Sequence, residues 1–311
     1  MSAARGSGST SGSTSGPASG PASAPASGGA GGQLFIVATP IGNLGDVSFR
    51  AVEVLKTVPL VAAEDTRLTR RLCARYEITT HLVSYHAQSG SARELELLAH
   101  LRSGRDLALV TDAGTPLVSD PGAELASAWA AEGGVVVPIP GASAVLAALM
   151  AGGLAAARWT FEGFLPRSGR ERRDRLARIA ADERACVIFE APSRVPATLS
   201  DLRAAAGGER RAAVCRELTK LHEEIVRGPL AELAGRAAAG GMMLRGEFVI
   251  VLEALIGGAA AKQPNAEGQV SMADGRVQVA ELVAGGARRA DAVRQVAAAT
   301  GLDRRELYRP D

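Results

Sequence analysis

At 311 residues, 47% hydrophobic and with a net charge of +2, the chain is long enough for two domains with sizeable cores, and its charge total neither requires nor excludes nucleic acid. Its three cysteines, Cys73, Cys186 and Cys215, have no ligand spacing, which argues against a disulfide framework or a zinc site and for a reducing compartment. No metal is expected elsewhere.

Residues 1–32 are almost entirely Gly, Ser, Ala, Pro and Thr, with Arg5 as the one charge. Such a segment buries too little apolar surface to fold, so a disordered tail is expected. It lacks the apolar stretch of a signal peptide, and no later run is clean enough to span a membrane. A cytoplasmic protein is the expectation.

From Leu34 onward strand and helix patterns alternate, which predicts an α/β fold with mainly parallel pairing. A first domain over 33–155 has strands expected near 34–39, 60–64, 107–111 and 134–139. The first strand breaks into Pro40-Ile-Gly42-Asn43-Leu44-Gly45-Asp46, with a helix following from about Val47. Strand, tight loop and helix form the layout of a small-molecule site at the carboxyl end of a parallel strand. A helix later in this domain is announced by Ser91-Ala-Arg-Glu94, which has the spacing of a capping box. The strand at 107–110 runs into Thr111-Asp112-Ala-Gly114-Thr115-Pro116, and the strand ending at Ile139 runs into Pro140-Gly-Ala-Ser143-Ala144. None of the three loops carries the G-x-G-x-x-G dinucleotide fingerprint or the GxxxxGK[ST] phosphate cradle.

Gly152 to Arg158 is expected to be a hinge. A second α/β domain over 156–255 follows, with strands near 185–190, 211–216 and 247–253. A Gly-, Ala- and Pro-bearing linker is expected over 256–275 and a small helical tail over 276–311. In that tail, Asp291 to Tyr308 fits helix, tight turn and short second helix, as in a helix-turn-helix or an ordinary helical hairpin.

Seven segments occur in one order: ATPIGNLGD, AAEDTR, TDAGTPLVSDPG, PIPGASA, EGFLPR, FEAPSR and RELTKLHEE. Together they resemble the tetrapyrrole methylase superfamily and, within it, the branch that methylates ribosomal RNA. The resemblance spans roughly Gln33 to Glu253. It implies a two-domain fold with the donor bound between domains, S-adenosylmethionine as methyl donor, and the small ribosomal subunit as partner. The implied acceptor is the ribose 2′-hydroxyl of a cytidine in 16S RNA, expected to be cytidine 1402, and the implied assembly is a homodimer. The donor site is implied to include Pro40, Gly42, Asn43, Leu44, Asp112, Gly114, Thr115, Pro116, Ser143 and Ala144. The Phe189-Glu190-Ala191 strand end, Gly246 and Glu247 are implied on its adenine side. Ser193 stands where the commoner family form has histidine before the final arginine of FEAPSR.

Methyl transfer to a hydroxyl needs the oxygen aligned and its proton removed, or a cation to stabilise the alkoxide. Lys220, Glu217, Glu64, Asp65 and His86 are the candidates, and the motifs do not rank them. Asp65 could equally cap the helix that follows it, and His86 could be structural. Arg67 and Arg71 lie on one helix face, and Arg167, Arg170, Arg172 and Arg173 on a basic segment. Either set is a phosphate-contacting surface or a solvated face. Methylation of a porphyrinoid carbon is disfavoured because AAEDTR and RELTK resemble the RNA branch. A nicotinamide oxidoreductase with Glu64 as ribose-binding acid lacks its fingerprint. A regulator acting through the tail helices would leave three ligand loops without purpose.

Deleting Met1 to Ala30 is expected to leave the melting temperature and methyl transfer unchanged, because this composition builds no core. Thermal melts and a transfer assay on the truncated chain check it.

Overall fold

The computed structural model describes residues 31–255, 272–300 and 302–308. The tail expected over 1–30 and the linker expected over 256–271 lie outside the described residues. The expected boundaries shift slightly. Gly32 already donates its N–H to the Leu101 carbonyl at 2.8 Å, so ordered packing begins before Gln33. At the other end the helical tail starts at Met272 rather than 276.

The first sheet comprises β1 (Gln33–Val37), β2 (Leu60–Ala63), β3 (His81–Ser84), β4 (Leu107–Val110) and β5 (Val135–Ile139), in the order β3-β2-β4-β1-β5. All its pairings are parallel. Helices α1 (Phe49–Thr57), α2 (Thr66–Arg75), α3 (Gly90–Arg102) and α4 (Ala123–Ala131) connect the strands. Apolar clusters lie on both faces of the sheet: Leu55, Val61, Leu72 and Val110 on one, Leu34, Leu97, Leu109 and Trp129 on the other. Coverage on both faces is why the strands read as unbroken apolar runs. Pro138 falls on β5, an edge strand where the missing N–H costs no ladder bond.

The capping box expected at Ser91 is not formed. α3 begins at Gly90, and the preceding Ser89 makes no side-chain cap. Its Oγ instead accepts from the His86 N–H at 2.8 Å, closing a tight turn.

The second sheet contains β6 (Trp159–Phe164), β7 (Ala185–Glu190), β8 (Arg211–Arg216), β9 (Glu224–Pro229) and β10 (Phe248–Leu252), ordered β6-β7-β10-β8-β9. Only β6 and β7 are parallel; the other three pairings are antiparallel. The expectation of mainly parallel strands therefore holds for the first sheet and fails for the second. The last strand, β10, returns to the sheet centre between β7 and β8. Helices α6 (Gly169–Ala181), α7 (Val195–Ala206) and α8 (Leu230–Ala238) supply Leu176, Ile179, Leu199, Leu202, Leu230 and Leu233 to the core on one face.

The other face of that sheet is covered by α5 (Ala144–Gly152), which follows β5. Val145 and Ala148 of α5 join Ile41 of the first lobe against Val187, Ala213, Cys215, Val249 and Val251 of the second. Arg227 of β9 donates to the Ala151 and Gly152 carbonyls, placing a cation on the unsatisfied end of the helix. Ala254 N–H donates to the Ala155 carbonyl at 3.2 Å. With the Ala185 N–H donating to the Arg158 carbonyl at 2.9 Å, the segment read as a hinge is tied down at both ends. Residues through Ala254 form one compact unit.

From Leu255 the chain forms a separate unit. It holds α9 (Met272–Ala284), α10 (Arg289–Thr300) and α11 (Arg304–Tyr308), around Val279, Ala292, Val293, Val296 and Leu307. The helix, turn and short helix expected over 291–308 are present as α10 and α11.

All three cysteines are buried. Burial raises each thiol's pKa, to about 12 for Cys186 and about 11 for Cys215.

One arginine of the basic segment contradicts its expected RNA role. Arg172 is 7% exposed. Its guanidinium donates to Asp201 Oδ2, the Pro166 carbonyl and Thr198 Oγ1, each at 2.9 Å. Thr198 in turn donates to Glu190 Oε2 at 2.6 Å. Arg172→Met should cost about 3 kcal/mol, since buried partners lose their charge and donors, and lower the melting temperature by roughly 6–12 °C. Arg170→Ala, on the same helix but exposed, should leave it unchanged; calorimetric melts compare the two.

Candidate active site

The carboxyl ends of β4, β1 and β5 lie side by side, so the three loops that leave them meet. Thr39 and Gly114 exchange backbone hydrogen bonds at 2.9 and 3.0 Å. The Thr39 hydroxyl donates to the Thr111 carbonyl at 3.1 Å. The Thr115 hydroxyl donates to the Ala142 carbonyl at 3.2 Å. Each loop is therefore fixed by the next, with Ser143 Oγ capping α5 at the end of the series.

These loops form one wall of a cleft of about 430 Å³ whose other wall is the second sheet. That is within the usual range for a small-molecule site, roughly 300–1,000 Å³. Of the residues expected to bind donor, Asp112, Gly114, Thr115, Ser143, Ala144, Glu190, Gly246 and Glu247 line it, as does the candidate acid Glu64. Pro40, Gly42, Asn43, Leu44 and Pro116 do not; Ile41 is the part of the first loop that does. Asn43 Oδ1 is turned back to accept from the Gly45 N–H at 3.0 Å. Phe189 and Ala191, expected on the adenine side, also line the cleft, whereas the sequence reading missed Asp120 and Phe164. The two phenylalanines meet edge to face at 5.7 Å between ring centroids. The position of Phe164 in EGFLPR, at the end of β6, was the available signal.

Glu190 lines the cleft with its backbone side only. Its side chain is fully buried and accepts from Thr198, the Ala191 N–H and Arg194. It fixes the end of β7 rather than presenting a charge.

The acids at the β2 and β4 ends interlock. Glu64 Oε2 accepts from the Asp112 N–H at 3.3 Å, and Asp112 Oδ1 accepts from the Asp65 N–H at 2.9 Å. Burial raises the pKa of Glu64 and of Asp112, against the pull of those N–H donors. Asp65 behaves differently. Its carboxylate caps α2 through the Arg67 N–H and pairs with the Arg67 guanidinium at 2.6 Å. The Arg67 hydrogen bonds hold its pKa down at about 2. The capping reading of Asp65 is the one the geometry supports, and Arg67 is committed to the same pair. His86 is exposed outside the lining, with Nδ1 accepting from the Gln88 N–H at 3.1 Å.

Lys220 and Glu217 lie behind the first loop, off the lining. Lys220 Nζ donates to Glu217 Oε1 at 2.8 Å and to Glu247 Oε2 at 2.9 Å. Burial alone would lower its pKa, but those two hydrogen bonds outweigh it and the pKa is raised. Burial would raise that of Glu217, but the Lys220 and Glu247 donors prevail and lower it. An amine whose pKa is raised and a doubly hydrogen-bonded carboxylate whose pKa is lowered make poor proton acceptors. A Cβ at Gly42 would sit 2.3 Å from Lys220 Cγ. Gly42 therefore serves close packing of the first loop on this ion cluster, and Lys220 bridges loops of the two lobes.

The chain matches the family of tetrapyrrole (corrin/porphyrin) methylases over residues 33–234. The chain belongs to the tetrapyrrole methylase family. Among curated proteins it is 46% identical over 277 residues to the ribosomal RNA small subunit methyltransferase I of Synechocystis sp., covering 89% of this chain and 96% of that protein. It is 40% identical to the protein of the same name from Bacillus subtilis, covering 89% and 93%. Its fold is that of a cobalt precorrin-4 methyltransferase, with a TM-score of 0.57 at 18% identity over 71% of this chain and 94% of that one. It is likewise the fold of a uroporphyrin-III C-methyltransferase from Thermus thermophilus complexed with S-adenyl homocysteine, with a TM-score of 0.53 at 19% identity over 72% and 99%.

The chain is accordingly a methyltransferase that uses S-adenosylmethionine. The lining suits that molecule. Phe164 and Phe189 offer an aromatic wall, Glu64 and Asp112 offer negative charge to a sulfonium, and the small residues Gly114, Ser143 and Ala144 leave room for backbone contact. Within the described residues no helix is long and apolar enough to cross a membrane.

Gly42→Ala should displace Lys220 and loosen the first loop. Overpacking should cost about 1–3 kcal/mol of stability, lowering the melting temperature, and donor binding should weaken, read by calorimetry with S-adenosylhomocysteine.

Proposed function

We propose that this methyltransferase transfers the methyl group to the ribose 2′-hydroxyl of a cytidine in 16S ribosomal RNA, with cytidine 1402 as the expected position. The observation that carries the reading is the near full-length match, at 46% identity, to a ribosomal RNA small subunit methyltransferase I, on a chain that keeps the donor cleft intact. S-adenosylmethionine supplies an already activated methyl. The protein's task is to align the hydroxyl for in-line displacement and accept its proton.

In this reading the RNA strand passes over the cleft and is held by exposed arginines of α2, of α6 and of the segment before α6. Arg71, Arg167, Arg170 and Arg173 remain candidates for phosphate contact, Arg170 with a loose ion pair to Asp174 at 3.4 Å. Arg67 contributes only by exchanging its Asp65 partner. The small ribosomal subunit or its RNA is the partner, the compartment is the cytoplasm, and the working form is a homodimer. Phe49, Leu146, Met150 and Leu221, all largely exposed, offer apolar surface to such pairing.

The test is transfer by the purified protein to small-subunit RNA, with mapping of ribose methylation. A methyl on a cytidine ribose is expected; transfer only to a porphyrinoid carbon overturns the reading. Replacing Arg71, Arg170 and Arg173 together with alanine should lower the slope of log affinity against log salt by about 2, at roughly 0.7 per phosphate contact for a single strand. Donor affinity should be unchanged.

A further inference from the structure

We infer that Asp120 is the catalytic proton acceptor: its carboxylate receives the proton of the attacking ribose hydroxyl. The inference rests on the acceptor assignment above. In the step, the hydroxyl oxygen forms a bond to the methyl carbon while the carbon–sulfur bond breaks. The sulfur leaves with the bonding pair as the neutral thioether of S-adenosylhomocysteine, and the proton passes to Asp120.

Three acids line the cleft from the first lobe, and two of them have structural work. Glu64 and Asp112 lock the ends of β2 and β4 through the backbone bonds described above. Asp120 enters no such backbone tie. It projects from the turn that follows β4, half-buried among the lining residues. That turn is bent in an unusual way: Leu117 and Ser119 lie at φ values of 73° and 69°. Left-handed backbone at non-glycine residues costs of order 1–3 kcal/mol each and persists where surrounding structure holds it.

The second lobe does the holding. Gly163 of β6 sits at a bulge with φ of 60°. A Cβ there would approach Ser119 Oγ to 3.1 Å. The turn that aims Asp120 is thus backed by a strand of the opposite wall, so the acid is fixed relative to both halves of the cleft. The remaining charged groups on the lining are occupied: Glu190 by Arg194 and Thr198, Glu247 by Lys220.

Burial, then the neighbouring Glu64 carboxylate, push the pKa of Asp120 up to about 6, with the Thr111 hydroxyl pulling the other way and Asp112 adding to the rise. A base works best with a pKa near the working pH. Asp120 accepts a proton only as the carboxylate, so transfer should slow as pH falls through about 6. Arg67, paired with Asp65, is the cation that acts on Asp112 nearby.

The experiment is single-turnover methyl transfer to small-subunit RNA between about pH 5 and 9, for wild type, Asp120→Asn and Asp120→Glu, with donor and RNA affinities and melting temperature measured alongside. Asp120→Asn should transfer roughly 10²–10⁴-fold more slowly, lose the acid limb of the profile, and keep both affinities. Asp120→Glu should recover part of the rate with the limb displaced. If Asp120→Asn is not folded, the displaced limb in Asp120→Glu decides alone. An unaltered rate and profile in the folded Asn variant, or an undisplaced limb in Asp120→Glu, overturns the inference while leaving the acceptor assignment intact. A loss confined to donor affinity also overturns it. Wild type that leaves the RNA unmethylated overturns the acceptor assignment and this inference with it.

Discussion

The cleft depends on α5 belonging to two sheets at once. Its first turn is capped by Ser143, at the end of the third loop, and its apolar face covers the inner side of the second sheet through Val145 and Ala148. The helix cannot shift without moving a cleft wall, and neither wall can move without exposing the apolar surface that α5 covers. Burial at about 25 cal/mol per Å² makes that exposure costly. The Arg227 guanidinium on the last carbonyls of α5 holds the other end. The donor site is therefore shaped by packing, and its polar residues decorate a frame already set.

Within that frame, the ionisable groups divide by whether their charge is already satisfied. Lys220, Glu217, Glu247, Glu190, Asp65 and Arg67 all have close partners of opposite charge. Such groups resist changing protonation state, because doing so strands a partner. Among the described residues, Glu64, Asp112 and Asp120 have no facing cation that close, and their pKa values move upward. Reactive capacity concentrates on the first-lobe side of the cleft, and the second lobe contributes aromatic surface and rigidity.

The three ligand loops were legible in the sequence because each interrupts an apolar run with glycine and proline, and the central strands were legible because they are buried on both faces. β3, β6 and β9 were not read as strands. All three are sheet edges, where one side lacks a neighbour and the apolar signal thins: β3 is HLVS, and β9 carries Arg227 and ends on Pro229. The antiparallel second sheet was hidden for another reason, since β10 comes last in sequence and lies in the middle. Arg172 was misassigned although its helix carried the clue. It shares the i, i+4, i+7 face of Leu176 and Ile179, which places it inward with them. Asp120 had no comparable signal. Its position depends on two left-handed residues and a glycine of the opposite lobe, which only the folded chain brings together.

The burial of Cys73, Cys186 and Cys215 has a practical side. With raised pKa values and no exposed sulfur, the native thiols offer almost no thiolate to an electrophile at neutral pH. An added cysteine at a solvent-facing position such as Arg71 or Arg173 would thus be the one site that a maleimide dye or a photo-crosslinker labels on the folded protein. The path of a bound polynucleotide could then be traced across the surface without first stripping any native side chain from the interior.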